Sequence, residues 1–506
     1  MQRAHLRFPL AALLSSGSSI LSAQESRPDA ATIALAVDSV TSRAIANGLA
    51  PALGVAVTRD GRTIYAKSHG LADVSKNIPV TDRTLWYIAS TSKSFTGFGV
   101  SLLAQKGVLR FDAPITTWLP AAMWNPAVHV DSLTLAHFLS HTHRVNDNAV
   151  VMNAAFTGEI PEASWPKLIV LGGRMPTSDL VYSNFGYNVA AMVIDKLRPE
   201  GWRKFLEQNV FQPAGMRDTY SRLSGIDPKR IAMPHRFNAE GRYITEPFFK
   251  TDATMNSAGG QLATLHDLAR WTIVQMDSGS IDGRRIFPAE AIQISHRLIA
   301  KQTRDQSKRF AYFDREGWGA GWDIGTYEGE RMVSRFGSYH STRSHVSFLP
   351  GRRIGVVAMS SAGPSVVTDI IAAFVYDLEA GRPDARAKAE ERLADLRRRM
   401  SEGKKASATQ DSVRAARQRV PLNHPLADFA GTYEEPSYGK IVVTLRDGQL
   451  AYRWGALYGT VEVFDATKNQ MRVEVAGSGN VATFTFPSSG PAQSVEVQGV
   501  TFRRKA

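Results

Sequence analysis

The chain has 506 residues, and 43% of them are hydrophobic, which excludes a fully disordered protein because packed cores can form. A single hydrophobic core stops growing at roughly 250–300 residues, so two or three domains are expected. The sequence contains no cysteine. Disulfides, thiolate catalysis, cysteine-based zinc sites and iron–sulfur clusters are therefore excluded.

The net charge of +13 is concentrated in a few segments. Residues 1–23 contain arginine and no acid, residues 381–420 have twice as many basic as acidic residues, and Arg503, Arg504 and Lys505 form a basic run. The rest of the chain is close to neutral. We therefore expect no nucleic-acid partner, and any such contact would have to be made by residues 381–420 in a salt-sensitive way.

Residues 1–23 are typical of a secretory signal peptide. Two arginines form a positive region, residues 8–14 form a short apolar core, and Ala23 ends a run suited to cleavage. A membrane anchor is the alternative, but the polar residues 15–19 interrupt the apolar run well short of the roughly 18 residues that a span needs. We expect a periplasmic or secreted protein that starts near Gln24 and has no membrane span after signal removal.

The first elements predicted after this segment are a helix and a β-hairpin. Strand-like residues 54–57 and 63–66 flank Asp60-Gly61, a dipeptide that favours a tight turn. Residues 90–106 predict a helix that ends at Gly107. Apolar residues lie on several faces of this helix, which indicates that it is buried in the centre of a domain.

Helices and long loops alternate over residues 110–330, and two strands are predicted at 345–349 and 354–359, followed by a helix at 369–380. Residues 381–420 are rich in Ala, Arg, Glu and Lys and predict a charged linker, either a solvated helix or partly disordered. Short strand-like runs from residue 421 to 506, two of them flanking Asp447-Gly448, predict a small antiparallel β-barrel or sandwich.

A Ser-x-x-Lys pair at the start of a helix can supply a nucleophile and its base, because the lysine lies one turn later on the same face. The pair occurs four times, at Ser90/Lys93, Ser164/Lys167, Ser401/Lys404 and Ser437/Lys440. Only the first opens a long apolar helix after a strand-like run, so Ser90 and Lys93 are the candidates. The other three are interpreted as surface residues.

Tyr182-Ser183-Asn184 is the one Tyr-x-Asn sequence in the chain. A phenol beside an ammonium can lose its proton and act as a base, and an asparagine side chain can donate to a substrate carbonyl. A core tyrosine followed by a helix-capping asparagine is the alternative interpretation of the motif taken alone.

Together these motifs make the sequence resemble the serine β-lactamases of class C type and the related D-peptidases, penicillin-binding proteins and esterases. Further matches lie between the motifs: the stretch 107–120 (GVLRFDAPITTWLP), 133–142 (LTLAHFLSHT), 213–216 and 257–271 (SAGGQLATLHDLARW). The resemblance covers about residues 30–380. It implies an α+β fold with an antiparallel sheet flanked by helices and a helical subdomain.

The resemblance also implies roles for single residues. Ser90 is the expected nucleophile, Lys93 and Tyr182 the proton-transfer pair, and Asn184 a substrate contact. The third motif of the family, Lys-Thr-Gly or His-x-Gly, is Arg335-Phe336-Gly337 here, followed by Ser338. Arg335 keeps the positive charge and can bind a carboxylate, but it cannot relay a proton.

Gly337 is expected to let substrate lie along the strand, and the backbone N–H groups of Ser90 and Ser338 to form the oxyanion hole. Arg343 resembles a position of some D-peptidase and esterase relatives, and substrate binding and strand solvation are both open for it. A second departure from the family is His143-Arg144, which with His137 and His141 also allows a metal-binding interpretation, although no further ligand is evident.

These expectations combine into four segments: a signal peptide at 1–23, a hydrolase domain at 24–380, a charged linker at 381–420 and a lipocalin-like β-barrel at 421–506. The expected activity is acyl-enzyme hydrolysis of an amide, a D-amino-acid peptide, an ester or a β-lactam, without metal or cofactor. The expected partner is a small-molecule or peptide substrate, including peptidoglycan-derived peptides. The alternative is a penicillin- or cell-wall-binding protein with little turnover.

Overall fold

The computed structural model describes residues 27–177, 179–238, 240–303, 312–362, 366–475 and 478–505. Its centre is an antiparallel sheet of nine strands. From one edge to the other the strands are Ala300–Lys301, Asp314–Trp318, Asp323–Tyr327, Glu330–Tyr339, Thr342–Leu349, Ile354–Ser360, Ala52–Arg59, Arg62–Asp73 and Ile78–Pro79. The predicted signal peptide lies outside the described residues.

The two faces of this sheet pack against different groups of helices, as the alternation of side chains along a strand requires. On one face Val356 and Ala358 pack with the helices Ala30–Ala46 and Val367–Glu379. On the other face Val357 and Met359 belong to a larger core that includes the helix Lys93–Gln105. The α+β architecture expected from the sequence is confirmed.

The larger core also contains residues of the remaining helices up to residue 296, and several short strands lie outside the central sheet. The helices are Leu135–Leu139, Asn148–Met152, Trp165–Leu168, Phe185–Leu197, Gly201–Leu206, Leu265–Met276 and Ala289–His296. The short strands are Trp86–Tyr87, Leu262–Ala263 and Thr219–Tyr220 in one sheet, with hairpins Val145–Asn146/Gly173–Arg174, His235–Phe237/Tyr243–Thr245 and Ser280–Ile281/Arg284–Arg285.

Local signals in the sequence predicted several of these elements correctly. Asp60 and Gly61 both have positive φ, 51° and 77°, as a tight hairpin turn between right-twisted strands requires. The helix Lys93–Gln105 is buried along its first eleven residues, and Gly107 follows its end with φ 69°. The predicted strands 345–349 and 354–359 lie within Thr342–Leu349 and Ile354–Ser360.

The segment predicted as a charged linker contains one helix of 33 residues, Ala385–Arg417. Its first half is not solvated on all sides, because Ala385, Ala389, Leu393 and Leu396 are buried in the core formed with Val367–Glu379. Their spacing of three and four residues places them on one face of the helix. The average hydrophobicity of the segment is low, so the sequence did not predict this buried apolar stripe.

Residues 431–504 form a second antiparallel sheet of nine strands, a nearly closed barrel entered through the short helix Leu426–Phe429. The strand order is Leu457–Thr460, Gln449–Trp454, Gly439–Arg446, Gly431–Glu435, Val500–Arg504, Ser494–Val497, Ser478–Thr485, Gln470–Val475 and Glu462–Asp465. Its interior is filled by apolar side chains, among them Trp454 and Phe484, and leaves a cavity of only about 20 Å³.

The barrel contacts the first domain close to the helix Asn148–Met152. The Ala456 N–H donates to Thr157 O at 2.8 Å, and the Asn153 side chain donates to Ser437 O at 2.9 Å. The rings of Phe249 and Tyr458 pack edge to face with centroids 5.1 Å apart. In the part of the chain that the structure describes, no helix combines the length and the hydrophobicity of a membrane span.

Truncation of the buried stripe tests whether the long helix is part of the hydrolase core. Leu393→Ala should reduce the free energy of unfolding by about 2–4 kcal/mol, because it removes a buried side chain and leaves a cavity. Val413→Ala, at a half-exposed position of the same helix, should change it by less than about 0.5 kcal/mol. Urea denaturation measures both, and equal effects would contradict the packing.

Candidate active site

Ser90 lies at the junction between the short strand Trp86–Tyr87 and the helix Lys93–Gln105. Ala89 has φ 46°, a left-handed conformation that costs an L-residue roughly 1–2 kcal/mol. It turns the chain into the 3₁₀ turn Ala89–Ser92, which leads directly into the helix. Ser90 remains partly exposed at this turn, whereas the residues that follow it are buried.

Lys93 follows Ser90 by one turn and places its Nζ 3.2 Å from the Ser90 Oγ. The lysine is fully buried, and its Nζ also donates to Asn184 Oδ1 and to Ala258 O, each at 2.7 Å. Burial lowers the pKa of Lys93 to about 8, although the nearby Tyr182 acts in the opposite direction. The side-chain oxygen of Asn184 thus orients Lys93, and the contact of Asn184 with substrate stays a prediction.

Tyr182 places its hydroxyl 2.6 Å from the Ser90 Oγ. Burial of the hydroxyl raises its pKa, but the charges of Lys93 and Arg335 and the hydrogen bonds around it outweigh burial and lower the pKa to about 7. The residue as a whole is 44% exposed, whereas its hydroxyl lies among the charges. A base with a pKa near 7 is suited to proton transfer at neutral pH.

The tyrosine is positioned by two rings and by the helix that follows it. Its own ring lies 4.6 Å from the His141 ring and 5.5 Å from that of Trp318. The Ser183 N–H donates to His141 Nδ1 at 3.2 Å. Phe185–Leu197 begins directly after Asn184, so the helix end holds this short segment against Ser90.

The strand Glu330–Tyr339 passes beside Ser90. Its pairing with the neighbouring strand ends at Ser334, which faces Asp323, so the edge of residues 335–338 is left open towards Ser90. A Cβ at Gly337 would lie 2.1 Å from Ile88 O and 3.0 Å from the Ser90 N. Only glycine fits there, because the strand lies directly against the segment that carries Ser90. The expected role of Gly337 in letting substrate lie along the strand stays a prediction.

The family model for beta-lactamase matches residues 37–381, and therefore most of the chain. The chain belongs to the beta-lactamase family. "Protein flp" of Staphylococcus aureus (strain COL) is 18% identical over 338 residues, which are 66% of this chain and 64% of that protein. The chain thus spans slightly less than two thirds of the length of this curated relative.

Two solved structures resemble the fold of this beta-lactamase family member. The octameric penicillin-binding protein homologue from Pyrococcus abyssi has a TM-score of 0.59 and 19% identity over 92% of this chain and 98% of that chain. The D-amino acid amidase from Ochrobactrum anthropi SV3, complexed with L-phenylalanine, has a TM-score of 0.57 and 19% identity over 70% and 99%. At these identities the likeness concerns the fold alone.

Arg335, at the position of the family's third motif, lies next to Ser90 and Tyr182, and its side chain is only 2% exposed. Its Nε donates to Ser90 O at 2.9 Å, and its Nη2 lies 2.9 Å from the Tyr182 hydroxyl. The predicted direct contact between Arg335 and substrate does not fit this burial. The guanidinium supports the catalytic groups from within the protein.

Arg343 is not part of this cluster, and its contacts do not support substrate binding, one of the two interpretations left open for it. It pairs with Ser338 across the two strands and lies on the face of the sheet opposite to Gly337 and Arg335. There its guanidinium binds the Asp369 carboxylate and the Thr368 hydroxyl of the helix Val367–Glu379. Side chains alternate between the two faces of a strand. Ser344 lies on the face of Gly337, so its neighbour Arg343 lies on the opposite face, away from the site.

Sequence interpretation missed the acidic partner of Arg335. Asp323 is fully buried, its Oδ2 lies 3.2 Å from the Arg335 Nη1, and it also forms an ion pair with Arg315. The one signal in the sequence was an aspartate within an otherwise apolar strand pattern, Trp-Asp-Ile-Gly. An aspartate at such a position is buried only when a cation pairs with it.

Sequence interpretation also missed Lys250, because it lies in a loop without a recognisable motif. Its Nζ donates to Ala155 O and lies 3.8 Å from the centre of the Tyr339 ring, directly after Ser338. Burial lowers the pKa of Lys250 to about 7. This lysine packs the end of the substrate-facing strand against the loop that meets the barrel.

The histidines of the altered segment have structural partners. His137 Nδ1 accepts from the Thr134 N–H, His143 Nδ1 accepts from the Val145 N–H, and the His143 ring stacks on Phe138 with centroids 4.9 Å apart. Each ring therefore stabilises a turn of the backbone. These contacts account for the histidines without a metal.

A methyl group at Gly337 should block the site. Gly337→Ala should lower kcat/KM by about 100-fold or more, because the new Cβ must push the strand or Ile88 away and displace the catalytic groups by an ångström. Gly351→Ala, where a Cβ meets no atom within 4 Å, is the control and should keep wild-type activity. Similar activity of the two variants would refute the close packing at Gly337.

The charge cluster predicts an unusually acidic tyrosine. The difference in absorbance at 295 nm between wild type and Tyr182→Phe should show one phenol ionising near pH 7. In Arg335→Gln the same ionisation should move to higher pH by about one unit, because a positive charge that favours the phenolate is removed. A difference titration centred near pH 10 in the wild type would contradict this electrostatic description.

Proposed function

We propose that this beta-lactamase family member is a secreted or periplasmic serine hydrolase that works through an acyl-enzyme on Ser90. The observation that carries the proposal is the position of the Ser90 Oγ between two proton-transfer groups. The Lys93 Nζ lies at 3.2 Å and the Tyr182 hydroxyl at 2.6 Å. A serine is a weak nucleophile until such a neighbour accepts its proton.

In the acylation step the Tyr182 phenolate takes the proton of Ser90, and the Oγ forms a bond to the substrate carbonyl carbon. The Lys93 ammonium and the Arg335 guanidinium stabilise the phenolate before the reaction, since both carry positive charge beside it. When the tetrahedral intermediate collapses, the bond to the leaving group breaks. Tyr182 then returns the proton to the leaving nitrogen or oxygen.

The oxyanion of the intermediate is assigned to the backbone N–H groups of Ser90 and Ser338. Support comes from the close approach of the two segments, because a Cβ on Gly337 would be 3.0 Å from the Ser90 N. Backbone donors fixed before the reaction stabilise the developing charge without reorganisation. No metal is needed for this role.

In the deacylation step a water molecule attacks the ester carbon of the acyl-enzyme, and its proton passes to Tyr182. The bond between the carbonyl carbon and the Ser90 Oγ then breaks, and the Oγ recovers its proton. The site therefore returns to its starting state. Asn184 is proposed to donate its amide N–H to the substrate acyl group while its oxygen keeps Lys93 in place.

The proposed substrates are amides, D-amino-acid peptides, esters and β-lactams, with peptidoglycan-derived peptides among them. The fold shared with a D-amino acid amidase and with a penicillin-binding protein homologue supports this range. A second candidate function is a penicillin- or cell-wall-binding protein with little turnover. The observation that favours it is that a buried arginine stands where the third motif of the family has lysine or histidine.

Covalent labelling tests the nucleophile and separates the two functions. A fluorophosphonate probe should add one label to the wild type and none to Ser90→Ala, as measured by intact mass. Ser164→Ala, which changes one of the other Ser-x-x-Lys pairs, should be labelled like the wild type.

An acyl adduct followed over time, formed from p-nitrophenyl acetate and in parallel from penicillin, then distinguishes turnover from binding. Loss of the adduct within minutes is expected for a hydrolase, whereas an adduct that persists for hours would support the binding protein. Label on Ser90→Ala equal to that on the wild type would overturn the assignment of the nucleophile.

A further inference from the structure

The three nitrogens of the Arg335 guanidinium are each directed at a group of the protein itself. Nε donates to Ser90 O at 2.9 Å, Nη2 lies 2.9 Å from the Tyr182 hydroxyl, and Nη1 lies 3.2 Å from Asp323 Oδ2. An arginine fork that binds a ligand carboxylate presents two parallel N–H groups to it. Here the two ends of the fork point to different protein partners.

Asp323 explains why the guanidinium stays in this position. The carboxylate is fully buried and is shared between Arg335 and Arg315, which is also buried. Removing one partner from a buried ion pair weakens the compensation of the charge that stays behind. Turning Arg335 outwards towards a substrate would leave Asp323 with Arg315 alone and would also break the hydrogen bonds to Ser90 O and the Tyr182 hydroxyl, so the arginine is held beneath the site.

The cations around the nucleophile are therefore out of reach of a substrate carboxylate. Lys93 has no exposed surface, and Arg335 exposes 2% of its side chain. Among the ionisable side chains of this cluster, Tyr182 is the one with exposed surface, at 44% for the whole residue. A carboxylate placed beside the scissile bond would therefore lose part of its hydration without gaining a hydrogen bond from a cation of the cluster.

We propose that Arg335, held by Asp323, is a positioning residue for Tyr182 and the Ser90 backbone, and that the site selects acyl compounds whose leaving group carries no carboxylate next to the scissile bond. Neutral esters and amides form this class. D-alanyl-D-alanine peptides with a free C-terminus and β-lactams with their ring carboxylate fall outside it. The inference rests on the proposed serine hydrolase function and narrows its substrates.

A matched pair of substrates tests the selectivity on the wild-type protein. N-acetyl-D-alanyl-D-lactate and its neutral D-lactamide contain the same scissile ester and differ only in the carboxylate. Release of N-acetyl-D-alanine, which only cleavage of that ester produces, should give a kcat/KM at least tenfold higher for the lactamide. An equal or higher kcat/KM for the free acid overturns the proposal, and so does cleavage of neither.

Variants of Arg335 test its role by the way in which they affect the two substrates. In Arg335→Lys and Arg335→Gln a positioning role predicts that kcat falls at least tenfold, by the same factor for both substrates, with KM nearly unchanged. Loss confined to the free acid, through a rise in KM, would show that Arg335 binds the carboxylate. Arg331→Gln, at an exposed position four residues earlier on the same strand, is the control and should keep wild-type kinetics.

The fluorophosphonate label on Ser90 separates this proposal from the function on which it rests. Label on Ser90 with the selectivity reversed refutes only the substrate class. Absence of label refutes the hydrolase itself. The wild-type comparison needs no variant and therefore stands even if an Arg335 substitution disturbs folding.

Discussion

The site is organised around one buried cation. Lys93 has no exposed surface, and removing an ammonium from water costs several kcal/mol unless hydrogen bonds and charges compensate. Its three acceptors come from three separate parts of the chain: Ser90 Oγ, Asn184 Oδ1 and Ala258 O. The nucleophile turn, the start of the helix Phe185–Leu197 and the loop before the strand Leu262–Ala263 must therefore meet at one point.

Neighbouring hydrogen bonds connect the same three parts. The Thr96 hydroxyl donates to Ser257 O at 2.7 Å, and the Ser257 hydroxyl donates to Tyr187 O at 2.9 Å. The buried helix Lys93–Gln105 thus carries both the lysine proposed for proton transfer and the contacts that keep its acceptors in place. The proposed catalysis and the folding of the domain depend on the same buried polar network, since any member left unpaired would be costly.

Paired charges extend from Lys93 to the edge of the strand Glu330–Tyr339. Lys93 and Arg335 both favour the negative form of Tyr182, while Asp323 is a buried counter-charge for Arg335. The proton affinity of Tyr182 therefore depends on the salt bridge between Arg335 and Asp323, which lies beneath the site. At this position the family has lysine or histidine. Arg335 keeps the positive charge of these residues, but its buried guanidinium no longer offers a hydrogen-bond donor to solvent.

The sequence by itself determined the elements whose signals are local. The Asp60-Gly61 hairpin, the buried helix after Ser90 and the strands of the barrel were predicted because turn dipeptides and hydrophobic periodicity act over a few residues. Motif spacing likewise singled out Ser90 and Lys93, which are one helical turn apart, and resemblance to a family added Tyr182, Asn184 and Gly337. These residues meet in the structure.

Only the tertiary structure decided which charges are paired and which faces they occupy. Asp323 lies twelve residues before Arg335 and was not connected to it, because the pairing depends on how adjacent strands align. Arg343 was assigned to the site although it faces Asp369 on the other side of the sheet. The stripe that buries Leu393 and Leu396 depends likewise on the neighbouring helix Val367–Glu379. Strand register and helix packing are non-local, and they determine burial, which decides whether a charge binds substrate or supports the site from within.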